Sequence, residues 1–175
     1  MSLKRYHISQ NNNILKISEA VNNEVIYSSF WFMEFGKTCA EIKNAKNEVE
    51  FSITKKFQFW KWRMVYLISQ KTADLSILIA QNTRYTVFKL DLLSGNYEIK
   101  VHYKKKKSIF KDGEKIAEFD ESFTNKRVEL LVLNTNELKI IFLLYACLLV
   151  GENEFKSKSI IKSQKQLETN ENPWF

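Results

Sequence analysis

Apolar and polar residues alternate at period two along most of the chain up to Leu133. That is the pattern of half-buried β-strands. Residues 48–56 put Val49, Phe51 and Ile53 on one face and Glu48, Glu50, Ser52, Thr54 and Lys56 on the other. Residues 96–103 set Tyr97, Ile99, Val101 and Tyr103 against Asn96, Glu98, Lys100 and His102. Residues 74–81 place Leu75, Ile77 and Ile79 on one side, and 85–92 reads as a strand with two partly apolar faces. Further strands are predicted at 25–34, 38–44, 60–68, 115–120 and 127–133, with weaker ones near 4–8, 14–18 and 107–111. Turn chemistry separates them at Asn22-Asn23, Gly36-Lys37, Asn44 to Asn47, Ser94-Gly95-Asn96 and Asp112-Gly113. The last pair is a strong two-residue hairpin signal, because both residues accept positive φ. Ten to twelve short strands at this spacing mean a sandwich or a barrel.

One segment departs from the alternation. Residues 134–151 read NTNELKIIFLLYACLLVG. Asn134 with Glu137 three residues on resembles a capping box, and Gly151 suits the C′ position. From Leu138 to Val150 only Lys139 interrupts the apolar run. A helix that is apolar all round is buried on all sides. Its length, roughly 20 Å, is short of a bilayer's hydrocarbon core. Short strands can enclose such a helix only by wrapping around it. The expected fold is mainly β: a barrel plugged by a hydrophobic helix at about 136–150.

Composition adds limits. The 175 residues, 45% of them hydrophobic, suit one domain with its own core. No Pro- or Gly-rich linker divides the chain, so residues 1–151 are expected to form a single domain and 152–175 a polar tail. Cys39 and Cys147 have no metal-like or redox spacing, and reduced thiols are expected. No secretory h-region follows Lys4 and Arg5, and a soluble cytoplasmic protein, peripheral at a membrane at most, is the expectation. The net charge is +7. Lys supplies nearly all the basic residues, whereas phosphate-reading surfaces favour the Arg fork, so nucleic acid is not the expected partner.

No P-loop, GxGxxG, GxSxG or HExxH occurs, and neither His7 nor His102 has metal-spaced company. The expectation is a protein that is not an enzyme and uses no cofactor or metal. The most unusual stretch is FQFWKWRMVYLIS at 57–69. Read as one extended strand, it projects Lys61 and Arg63 together, about 7 Å apart, able to hold one phosphate. The flanking Trp and Phe suit a membrane interface. The plainer reading is a core strand with two solvated charges. Lys104, Lys105, Lys106 and Lys107 form a run that suits an anionic-lipid patch or, more plainly, a solvated hairpin loop. Lys55 and Lys56 read likewise.

The element order, the hairpin-linked strands and NELKIIFLLYACLLVG at 136–151 resemble the tubby C-terminal-like superfamily. It includes the tubby domain, the plant LURP-one-related proteins and the phospholipid scramblases. The resemblance covers roughly residues 4–151. Lys61-Trp62-Arg63, YLIS at 66–69 and TADLS at 72–76 are similar to the tubby stretch whose basic residues contact a phosphoinositide headgroup. The resemblance implies a closed antiparallel barrel of about twelve strands around its C-terminal helix. It also implies a non-enzymatic module for anionic lipid or phosphoinositide headgroups, with Lys61 and Arg63 in the headgroup-contacting stretch; Lys55, Lys56 and Lys104 to Lys107 join them as candidate headgroup ligands on their charge. A structural or protein-interaction domain is the alternative, with its protein partner unknown.

Overall fold

The computed structural model describes residues 3–70, 73–81, 84, 86–102, 106–121 and 127–152. The predicted alternation becomes twelve strands: β1 (Lys4–Asn11), β2 (Ile14–Glu19), β3 (Val25–Glu34), β4 (Lys37–Asn44), β5 (Val49–Gln58), β6 (Arg63–Gln70), β7 (Ala73–Ala80), β8 (Val87–Leu92), β9 (Gly95–Val101), β10 (Lys106–Lys111), β11 (Glu114–Asp120) and β12 (Arg127–Val132). Each pairs antiparallel with its sequence neighbours, and β1 pairs with β12, so the barrel is closed. Closure removes the open edges that invite aggregation.

The α-helix α1 (Leu138–Leu149) lies inside. Phe142, Leu143, Leu144, Tyr145 and Cys147 have no exposed surface. They meet one inward row from the wall, including Ile8, Ile17, Ile42, Ile53, Leu78, Leu90, Ile99 and Leu130. Burying each large aliphatic or aromatic side chain contributes roughly 1.5–3 kcal/mol of gross transfer energy. This burial is why a twelve-residue helix persists where an isolated one would melt.

Several strand phases fall as expected, with Phe51, Ile53, Tyr97 and Ile99 inside. On β7 the phase is reversed. Leu78 and Ala80 line the core, while Leu75 and Ile77 are exposed on the outer wall. The capping expectation holds in one half. Asn134 caps a 3-10 turn, Thr135–Glu137, by accepting from the Asn136 backbone N–H at 3.1 Å. Glu137 does not reach back to it. Its carboxylate accepts from the Tyr97 hydroxyl and the Lys111 ammonium, each at 2.7 Å, and so ties the start of α1 to the wall.

The far end of α1 turns sharply. Val150 (φ −60°, ψ 117°) and Gly151 (φ 91°) make a type II turn, closed by the Glu152 N–H donating to the Leu149 carbonyl at 2.9 Å. Only glycine holds that φ without strain, as the sequence anticipates.

Candidate functional site

In this meander the hairpins alternate between the two ends of the barrel. The β1–β2, β3–β4, β5–β6, β7–β8, β9–β10 and β11–β12 connections share one end. The helix also finishes there, since Gly151 lies against Thr38 and Lys55 at the starting and finishing ends of β4 and β5. Every basic residue singled out in the sequence falls on or beside a hairpin of this end, apart from Lys104 and Lys105, which lie outside the described residues.

The single-strand reading of 57–69 does not hold. β5 stops at Gln58, Phe59–Lys61 form a 3-10 turn, Trp62 is left-handed (φ 46°), and β6 begins at Arg63. The long β5 must reverse to pair with β6 in the register Phe57↔Met64 and Gln58↔Arg63. Lys61 and Arg63 therefore do not stand side by side on one strand face. Arg63 instead donates from Nε to the Gln58 side-chain carbonyl at 2.8 Å across the base of the turn.

The reversal makes a projecting aromatic tip. Phe57 meets Trp62 edge-on at 6.0 Å, Phe59 meets Trp62 at 5.3 Å, and Phe59 meets Trp60 at 5.9 Å. These contacts hold the turn together and offset the cost of placing Trp62 in the left-handed region, about 1 kcal/mol. No residue of the 3-10 turn is buried, and Trp60 is 93% exposed. The next hairpin around the barrel, β3–β4, exposes Met33 and Phe35 at its own tip. Large apolar groups gathered on exposed loops mark a contact surface. Lys37, Lys56 and Lys61 are exposed on these hairpins and have no ion-pair partner among the described residues. Glu34 is the acidic residue beside them.

Three of the lysines have structural duties instead. Lys55 follows Phe51 and Ile53 on the inward face of β5, and its ammonium donates to the Val150 carbonyl oxygen at 2.8 Å. Burial lowers its pKa from the ordinary value, and the Glu152 charge opposes that shift. Lys107 is also turned inward and buried, paired with Glu121 and lying over the Tyr145 ring at 5.5 Å. Tyr145 donates to the same Glu121 carboxylate at 2.8 Å. Lys106 lies 3.5 Å from Glu118 and 3.8 Å from Asp120 on the outer wall. The described part of the lysine run is thus neutralised by local carboxylates rather than offered as a patch. Its inward phase was invisible in the sequence, because four identical residues carry no alternation.

A cavity between Gln10, Asn13, Leu15, Ser29, Trp31 and the end of α1 measures about 10 Å³. That is space for one water and not for an organic molecule. No helix among the described residues is long and apolar enough to cross a membrane. No family model, curated protein or solved structure matches the chain.

Proposed function

We propose that the protein is a non-enzymatic binding module that meets an anionic membrane surface with the end of the barrel carrying the β5–β6 tip. The observation that carries this reading is the exposed aromatic group Phe59, Trp60 and Trp62 with the exposed cations Lys56 and Lys61 in the same hairpin. Aromatic rings sit at headgroup depth, and each Lys near a charged bilayer contributes about 1 kcal/mol. The resemblance to the tubby-like superfamily supports the same reading, with a cytoplasmic, membrane-peripheral location. A lumen filled by α1 favours binding on the outside over catalysis or carriage within.

The test is co-sedimentation with vesicles of phosphatidylcholine alone and with 30% phosphatidylserine added, at low and physiological salt. Salt-sensitive binding to the anionic vesicles is expected, with a blue shift of Trp emission. It is expected to weaken in Trp60→Ser and in Lys56→Glu/Lys61→Glu. Equal partition into neutral and anionic vesicles would overturn the reading.

A second reading, a protein-interaction scaffold, is favoured by the outward Leu75 and Ile77 of β7. Ile77 stands opposite Leu67 of β6, so two neighbouring strands present apolar side chains there. Sedimentation equilibrium of the full chain and of Ile77→Lys distinguishes it. Self-association that the substitution abolishes would support the scaffold.

A further inference from the structure

Two tight turns of the barrel share a geometry and differ in their residues. At the end away from the aromatic tip, Lys111 and Glu114 pair across Asp112 (φ 51°) and Gly113 (φ 87°). At the tip end, Glu34 and Lys37 pair across Phe35 (φ 46°) and Gly36 (φ 73°). Both are two-residue loops with positive φ at each central position, the type I′ pattern that Asn-Gly and Asp-Gly fill with least strain. The first follows that preference. The second holds a bulky aromatic residue in the left-handed region, an outlier for such a side chain.

The fold does not explain Phe35. Its side chain is 95% exposed, so almost nothing packs against it to offset the strain. Trp62 on the next hairpin shares the same φ of 46°, but there Phe57 and Phe59 hold the ring. Met33, two residues before Phe35, is exposed as well. Strain kept at an exposed position without a packing partner points to a contact outside the barrel.

The two hairpins are neighbours and project from the same end. β4 of one pairs with β5 of the other, with Thr38 opposite Lys55. Continued by one residue, that register sets the exposed Lys37 opposite the exposed Lys56. Counted along each strand from this pair, the β5–β6 turn stands beyond the β3–β4 turn by roughly 5–7 Å. Lys37 and Lys56 thus lie just behind the rings, with Lys61 among them. The turns of the opposite end carry Glu24, Glu48 and Asp112, with Lys46 as a basic residue among them. A fully exposed apolar side chain, Leu93, also lies at that end. An anionic bilayer attracts the first end and repels the second.

We propose that the β3–β4 turn enters the same anionic bilayer as the β5–β6 turn, with Phe35 as the second inserted ring and Lys37 and Lys56 at the level of the lipid phosphates. This rests on the membrane reading above and adds the orientation to it. Two adjacent tips hold the barrel end-on, where one tip alone leaves it free to tilt.

The experiment uses the full chain, vesicles of phosphatidylcholine and phosphatidylserine, and urea titration. Phe35→Asn supplies the residue type that the turn prefers and removes the ring. It is expected to raise the urea midpoint while lowering affinity about fivefold or more. Lys37→Gln is expected to flatten the salt dependence. Leu93→Asn removes an exposed apolar side chain from the opposite end and is expected to bind like the parent. If Phe35→Asn binds like the parent while Trp60→Ser loses binding, the inference is overturned and the tip reading stands. If Phe35→Asn lowers the urea midpoint, the ring serves the fold and the inference fails. An unchanged salt dependence in Lys37→Gln would overturn its placement at the phosphates. If Leu93→Asn weakens binding as much as Phe35→Asn, the barrel does not stand end-on. If the parent chain itself shows no preference for anionic vesicles, both readings fall together.

Discussion

The Lys55 ammonium donates to the Val150 carbonyl oxygen at 2.8 Å, joining the last inward position of β5 to the C-terminus of α1. A cation there meets the negative end of the helix dipole and satisfies a carbonyl that has no helical donor. Lys55→Met is therefore expected to destabilise the fold by about 1–3 kcal/mol, the cost of a buried acceptor left unpaired. Urea titration followed by circular dichroism measures it. Vesicle binding per folded molecule should stay unchanged, in contrast to Lys56→Glu one residue on.

Glu121 serves two partners, Lys107 and the Tyr145 hydroxyl. Tyr145→Phe removes one hydrogen bond and leaves the ion pair, with a loss of roughly 0.5–1.5 kcal/mol expected. Glu121→Ala strands the buried Lys107 charge, and about 3–5 kcal/mol is expected. Comparing the two urea midpoints checks the order. Equal losses would mean that Lys107 finds water once Glu121 is gone.

Alkali should unfold the barrel from within. Burial pushes the Cys147 thiol up from its ordinary 9.0, and burial with the Glu121 charge pushes Tyr145 well above 10.0. Above those ordinary values the unfolded chain has released protons that the folded one still holds. Stability then falls as pH rises, by up to about 1.4 kcal/mol per pH unit for each group. Lys55 works in the opposite sense just below 10.5, because its lowered pKa lets the folded state lose a proton first. Tyr6, Tyr27 and Tyr97, raised chiefly by burial, and Lys111, raised by its hydrogen bond to Glu137, act in the same sense as Cys147 and Tyr145, so the net is a decline beginning near pH 9. Cys147→Ala should move that onset toward pH 10, as read from urea midpoints across the pH series.

The strands were legible because one wall face is buried and the other solvated, so period two is written into residues such as Phe51, Ile53, Tyr97 and Ile99. The helix was legible because its apolar run has no polar face. The Asp112-Gly113 turn was legible because φ values of 51° and 87° favour those residue types. The β5–β6 reversal was not. Phe59, Trp60, Lys61 and Trp62 include no Gly, Pro, Asn or Asp, and aromatic residues read as strand formers. Phe35 with Gly36 hid the β3–β4 tip in the same way, placing an aromatic residue at φ 46° where Gly36-Lys37 was expected. Both misreadings fall at the exposed aromatic tips, where local turn preference has yielded to another demand.

That contrast has its own test. Trp60→Ser is expected to change stability by no more than about 0.5 kcal/mol, since the ring is exposed and serves no core contact. Leu143→Ala, within α1, is expected to cost roughly 2–5 kcal/mol through the cavity it leaves. Thermal melts of the two variants check the pair.

The pairing of β1 with β12 sets Lys4 opposite Val132 and Ser9 opposite Arg127. During synthesis the first strand can pair with β2 at once, but its other edge must wait until the twelfth has left the ribosome, and the plug is made later still. The nascent chain spends most of its elongation as an open curl with a greasy inner surface. Maturation of the barrel is thus a late event that depends on α1, with slow closure governed by contacts between β1 and β12, far apart in sequence.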